Sequence, residues 1–125
     1  PGSKRVAELT GCKNFSRIEQ RGDRLLFAID WGVELETAVP IGEHVSYVGI
    51  RAHDMTPTGD DDTDNSIVME ILERTEDPFE WNILFTNAHA AGTRPLWWKF
   101  SKYLVTEIPR RLRLPPEALL LLTDG

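Results

Sequence analysis

From Leu25 to Leu35 every second residue is apolar: Leu25, Phe27, Ile29, Trp31, Val33 and Leu35. A helix would scatter these six side chains around its axis, whereas the two-residue period of a pleated strand lines all of them on one face. The spacing predicts a strand that covers a core with one side, with Gly32 as a bend or bulge inside it. Such a segment needs partners, and the sequence offers several. Asn14 to Gln20 is a shorter alternating run through Phe15 and Ile18, and Arg21-Gly22-Asp23 turns it into a hairpin with the first. Val45 to Ile50 reads as a strand entered through the turn chemistry of Pro40-Ile41-Gly42-Glu43. Ser66 to Glu76 fits a strand better than a helix, because Ile67, Met69 and Ile71 alternate. Asp77-Pro78 interrupts it, and Phe79, Trp81, Ile83 and Phe85 alternate again to complete a second hairpin. On a further strand Leu96, Trp98 and Phe100 face one way, and Trp97, Lys99 and Ser101 the other.

The segments between are less regular. Thr56 to Asn65 contains too few apolar groups to pack and reads as the longest flexible loop, and His89 to Pro95 as another. Ser101 to Leu112 is read as a short helix stopped before Pro109. The ending Leu114-Pro115-Pro116-Glu117-Ala118 with its four leucines suits either a helix with proline in its first turn or a buried strand. Many short strands separated by turns point to an all-β fold, a small barrel or sandwich. Residues 1–3, Pro1-Gly2-Ser3, resemble the remnant of an expression tag and are set aside, which leaves 4–125 as a single domain.

Composition narrows the function. No stretch approaches the ~20 apolar residues of a membrane span and the start lacks a signal peptide, so a soluble, intracellular protein is expected. With Cys12 as the single cysteine, no internal disulfide and no four-cysteine zinc site can form. Fourteen basic against 20 acidic side chains give a net charge of -6, which opposes non-specific attraction to nucleic acid. A phosphate-binding P-loop, a dinucleotide fingerprint, a G-x-S-x-G elbow and an H-E-x-x-H zinc helix are all missing, so no enzyme, cofactor or metal is expected. Asp60, Asp62 and Asp64 match the first three ligand positions of a calcium loop, but Asn65 replaces the required glycine and Ile71 the bidentate glutamate. The solvated-loop reading is preferred. Cys12 with His53 is too little for a catalytic dyad, and a buried or loop-packed thiol is expected.

Two segments carry more than composition. Tyr47-Val48-Gly49-Ile50-Arg51-Ala52-His53-Asp54-Met55 resembles the "VGIRPEDI"-like signature of the TOBE domain, the accessory barrel that follows the ATPase core in ATP-binding subunits of ABC importers. Leu9-Thr10-Gly11-Cys12-Lys13-Asn14-Phe15-Ser16 looks like the T-G-C-K-N segment of the molybdate/sulfate-type branch, and the leucine-rich ending is similar to that branch's C-terminus. Ala52 and His53 stand where the signature usually has proline and glutamate. The resemblance implies an OB-like small β-barrel of TOBE type with a short helical or irregular C-terminal segment. It implies a cytoplasmic regulatory and dimerisation module, peripheral to the inner membrane, paired with an ATPase core and with a second copy. It also implies a possible oxyanion ligand, molybdate, tungstate or sulfate. A serine-alanine-arginine-asparagine motif in the molybdate-binding domains resembles this chain at Lys13-Asn14, with Gly11 at the position of the first serine.

A tetrahedral dianion needs convergent backbone N–H groups, hydroxyls, amides and a cation, and Gly11, Lys13, Asn14 and Ser16 offer that mixture in one segment. Arg51 and His53 end the signature strand and are assigned to an interface. Trp97 and Trp98 must point to opposite faces of their strand, one into the core and one toward a partner. The alternative function, from another class, is an OB-type binder of single-stranded nucleic acid or a small ligand, whose mark would be a basic groove beside an aromatic platform.

Overall fold

The computed structural model describes residues 2–124. Among these, eleven strands run in the order β1 (Gly2–Ser3), β2 (Asn14–Gln20), β3 (Leu25–Ala28), β4 (Val33–Glu36), β5 (Tyr47–Ile50), β6 (Thr56–Thr58), β7 (Ser66–Glu76), β8 (Glu80–Asn87), β9 (Leu96–Ser101), β10 (Arg111–Arg113) and β11 (Leu120–Thr123). A short helix, α1 (Lys4–Leu9), lies between β1 and β2, and a 3-10 turn, Pro116–Ala118, precedes β11. The strands form a six-stranded sheet, β1-β11-β5-β2-β3-β4, and a five-stranded sheet, β6-β10-β7-β8-β9.

The all-β class is therefore observed, but neither sheet closes on itself. The reason lies at the edges. An edge strand with free N–H and C=O groups would invite another strand, and on the edges β9 and β4 side chains and one loop carbonyl take up such groups. The Asn14 side-chain amide, on β2, donates to the Trp97 carbonyl at 2.9 Å and its oxygen accepts the Trp97 N–H at 2.8 Å, on the edge strand β9. The Lys99 N–H donates to the Ala52 carbonyl at 3.0 Å. On the edge strand β4, Asn65 receives the Glu36 N–H and donates to the Glu36 carbonyl, both at 2.8 Å. The two sheets are joined by such single links rather than by a continuous ladder, and one core fills the space between them: Leu26, Leu35, Val48 and Ile50 from the first, Trp31 from the turn between β3 and β4, and Ile67, Ile83, Phe85, Leu96, Trp98 and Leu112 from the second.

The run from Leu25 to Leu35 is two strands. The chain reverses through Ile29–Gly32, with the Trp31 and Gly32 N–H groups both donating to the Ala28 carbonyl, so β3 and β4 pair as a hairpin. Gly32 has φ +65, and a Cβ there would come within 2.6 Å of Ala90 Cβ, so only glycine fits this reversal. The reversal also turns the pattern over. Leu26, Ala28, Trp31 and Leu35 are fully buried, while Leu25 and Phe27 are half-buried and Ile29 exposed.

Elsewhere β2, β5, β7 and β9 lie within the segments that the periodicity marked, β8 runs two residues past its own, to Asn87, and both expected hairpins form. The helix expected in 101–112 is absent: that stretch is turns ending in β10, whose pairing with both β6 and β7 consumes its backbone groups. The ending is neither a helix nor a fully buried strand: a single 3-10 turn with Pro116 at its start leads into β11, of which only Leu122 is buried. Gly2 and Ser3, set aside as a tag remnant, belong to the fold: they pair parallel to β11, and the Ser3 hydroxyl caps α1 by accepting the Val6 N–H at 3.1 Å. Part of the loop 56–65 is ordered as β6, and Asp62 is held by the Thr58 hydroxyl at 2.7 Å and by Arg113 at 3.4 Å. No described helix is long and apolar enough to cross a membrane.

Candidate functional site

The cross-strand register of the second sheet sets Thr75, Asn82 and Lys99 opposite one another on β7, β8 and β9. Ile83 and Trp98, their neighbours in sequence, point into the core, so this polar row lies on the outer face with Trp97 beside it. The linked ends of the first sheet rise next to that row. The C-terminal end of α1 brings Thr10, Gly11 and Lys13, and the end of β5 brings Arg51, Ala52 and His53. Together these residues line a cleft of about 430 Å³.

The cleft is electropositive. Among the described residues its lining includes Lys13, Arg51, His53 and Lys99 and no carboxylate. Among the described residues none of Lys13, Arg51 and Lys99 makes an ion pair. Arg51 is instead oriented by Thr10, donating to its carbonyl at 3.1 Å and to its hydroxyl at 3.3 Å. At the rim His53 Nε2 stands 2.8 Å from Glu80 Oε2 and bridges the β7–β8 hairpin to the wall. Charges left unpaired around a concave polar surface, with hydroxyl and amide groups between them, suit an anion of several oxygens.

The residues singled out in the sequence divide sharply. Gly11, Lys13, Arg51, His53 and Trp97 all line this one cleft, although they lie in separate segments with separately expected roles. Asn14 and Ser16 do not reach it. Asn14 is 2% exposed and spends its amide on Trp97, and Ser16 is fully buried, donating to the Arg17 carbonyl at 2.8 Å and accepting the Asp30 N–H at 2.9 Å. The Gly11 N–H is likewise used, on the Glu8 carbonyl that ends α1. Trp98 is a core residue. Sequence reasoning passed over Thr10, Thr75, Asn82 and Lys99. Thr75, Asn82 and Lys99 sit on the outward faces of strands, where polar residues look merely solvated; only the register brings them together.

Cys12 is buried, its thiol 3.6 Å from the Ile50 carbonyl and 3.7 Å from that of Asn14. Burial raises its pKa, which keeps it a thiol. Among the described residues no group of three His, Cys, Asp or Glu side chains is placed to hold a metal.

A second hollow, of about 380 Å³, adjoins the first through Lys13 and is lined by Lys4, Phe15, Arg17, Asp30, Tyr47 and Arg94 besides. Asp30 is nearly buried. Arg17 holds its carboxylate through the guanidinium at 2.8 Å and through the backbone N–H at 2.8 Å, with Arg94 at 3.8 Å. The Arg17 side-chain hydrogen bond, above all, keeps the Asp30 pKa below the usual carboxylate value against the opposing effect of burial. A carboxylate with a depressed folded-state pKa contributes stability that is complete above its unfolded value and is lost as the pH falls through the folded one. Asp30→Asn is therefore expected to cost about 1–3 kcal/mol at neutral pH. The gap to the parent protein should close in acid, in urea melts taken across that range.

Comparison with models of known protein families and with curated proteins finds no match to this chain.

Proposed function

We propose that the chain is a non-catalytic regulatory module that binds a tetrahedral oxyanion in the cleft between its two sheets. The observation that carries this reading is the carboxylate-free lining, in which Lys13, Arg51 and Lys99 have no ionic partner among the described residues. The segments that resemble the TOBE domain support it further, since two of them, around Gly11-Lys13 and around Arg51-His53, form the cleft walls. In this reading the fold is a relative of the OB-type barrel opened into two linked sheets. The parent protein is the ATP-binding subunit of an ABC importer, at the cytoplasmic face of the membrane. The module pairs with its ATPase core and with a second copy, and the anion is molybdate, tungstate or sulfate.

The geometry gives regulation a physical route. The cleft floor belongs to one sheet and the walls to the other, so an anion held by Lys99 on the floor and by Lys13 and Arg51 on the walls restrains the sheets relative to each other. Binding to the folded state alone stabilises it by RT ln(1 + [L]/Kd), about 2.7 kcal/mol at a hundredfold excess over Kd. Thermal melts with each oxyanion should show a rise in Tm of several degrees, with saturable heat in calorimetry. Lys13→Gln with Lys99→Gln should weaken binding tenfold or more without lowering the unliganded Tm. Melts indifferent to all three anions at millimolar concentration would remove the sensing role.

A further inference from the structure

The chain's net charge conceals a strong asymmetry. The two hollows that meet at Lys13 are lined by Lys4, Lys13, Arg17, Arg51, Arg94 and Lys99, six of the fourteen basic side chains, and by Asp30, one of the twenty carboxylates. This band carries +5, and the rest of the chain -11. At its rim Glu8 pairs with Lys4 at 2.8 Å and Glu80 with His53 at 2.8 Å, and with these two carboxylates counted the band keeps a net +3. Asp30 itself is neutralised by Arg17 and Arg94. Overall acidity therefore gives no guide to what this face attracts, because attraction at contact distance is set by charges within about 10 Å, the Debye length at 0.1 M salt.

The band is also larger than a lone oxyanion needs. Its hollows measure about 430 and 380 Å³, each in the range of ~300–1,000 Å³ that takes a drug-sized organic molecule. Aromatic rings are interleaved with the cations. Trp97 is half-buried on the outer face of β9 in the first hollow, and Phe15 and Tyr47, also half-buried, line the second, where Lys4 Nζ lies 5.1 and 5.2 Å from their ring centroids. Cations spaced along a groove with ring faces between them recognise phosphodiesters whose bases are free to stack. A duplex hides its bases, and α1, with six residues, is too short to enter a major groove as a reading helix.

We infer that this band binds single-stranded nucleic acid along the path from Lys99 and Trp97, past Lys13, to Arg17 and Arg94. It goes beyond the oxyanion reading and stands without it, although both use Lys13. Fluorescence anisotropy of the full chain with a labelled oligothymidylate of about twelve nucleotides tests it. Saturable binding is expected at low salt, with log K falling by about 2–4 per decade of salt, since each neutralised phosphate of a single strand contributes ~0.7. Lys13→Glu with Lys99→Glu should weaken binding at least tenfold. Trp97→Leu should weaken it about fivefold or more through lost stacking. Arg110→Glu, outside both hollows, should change it less than twofold. The proposal is overturned by an absence of saturable binding at low salt, by an equal loss in Arg110→Glu, by a Trp97→Leu variant that binds as well as the parent, or by a duplex bound as tightly as the single strand. A chain stabilised by molybdate but indifferent to the oligonucleotide overturns this inference alone. One that binds the oligonucleotide but no oxyanion overturns the sensing role alone.

Discussion

Trp98→Ala is expected to cost about 3–5 kcal/mol, a large share of the ~5–15 kcal/mol that holds a domain together. Trp98 is 1% exposed and stacks on Phe100 with ring centroids 3.9 Å apart. Its indole N–H donates to the Met55 carbonyl at 2.9 Å, so truncation both opens a cavity and leaves a buried acceptor without its donor. Trp98→Phe separates the two effects. It keeps most of the volume but loses the donor, and should cost about 1–3 kcal/mol. Urea unfolding read by circular dichroism measures both. Trp97→Leu provides the contrast: one position along the strand, the same ring lies on the outer face, and its loss should leave stability nearly unchanged. Equal costs at positions 97 and 98 would contradict the sidedness of β9.

That sidedness was legible in the sequence because β9 has a strict two-residue period and no turn inside it. The same rule failed between Leu25 and Leu35, where the period is just as strict. Gly32, marked in the sequence as a bend, supplies the left-handed residue of the reversal, and the rest of what holds the chain there is not local. Asn87, on β8, donates to the carbonyls of Trp31 and Gly32 at 3.0 and 3.2 Å, and Arg17, on β2, grips Asp30. Such tertiary bonds leave no periodic trace, and a reversal inside an alternating run exchanges inside for outside. The helix α1 escaped notice because six residues are too few to show a 3.6-residue period; a serine cap and the packing of Ala7 against Leu122 hold it. The cleft walls were visible as recurring residue types, Gly11 with Lys13 and Arg51 with His53. The floor depends on three strands falling into register. Net charge is silent on the basic band in the same manner, since a sum over the chain says nothing about where the charges gather.

The second large effect is expected at Asn14, the residue through which the two sheets meet. Its buried amide satisfies both the N–H and the C=O of Trp97 on the edge of β9. Asn14→Ala leaves both groups unpaired, at about 1–3 kcal/mol each for a buried group, and should cost about 2–4 kcal/mol in all because Trp97 retains some access to water. Asn14→Asp sharpens the test. An ionised carboxylate can still accept the Trp97 N–H, but it faces the Trp97 carbonyl with an oxygen and repels it. Desolvation and that repulsion both raise the folded-state pKa of the introduced acid above its unfolded value. The folded state then binds the extra proton first, so the variant should gain stability relative to the parent as the pH falls from the raised pKa toward ~3.9. Protonated, the acid can donate to the Trp97 carbonyl and restore the missing bond. Because the Asp30 contribution begins to fade just below that range, the comparison is made in an Asp30→Asn background, which removes that contribution from both proteins. A stability gap between that background protein and its Asn14→Asp variant that stays constant from neutral pH to about pH 4, where the introduced acid should have taken up its proton, would show that the amide does not join the sheets as described.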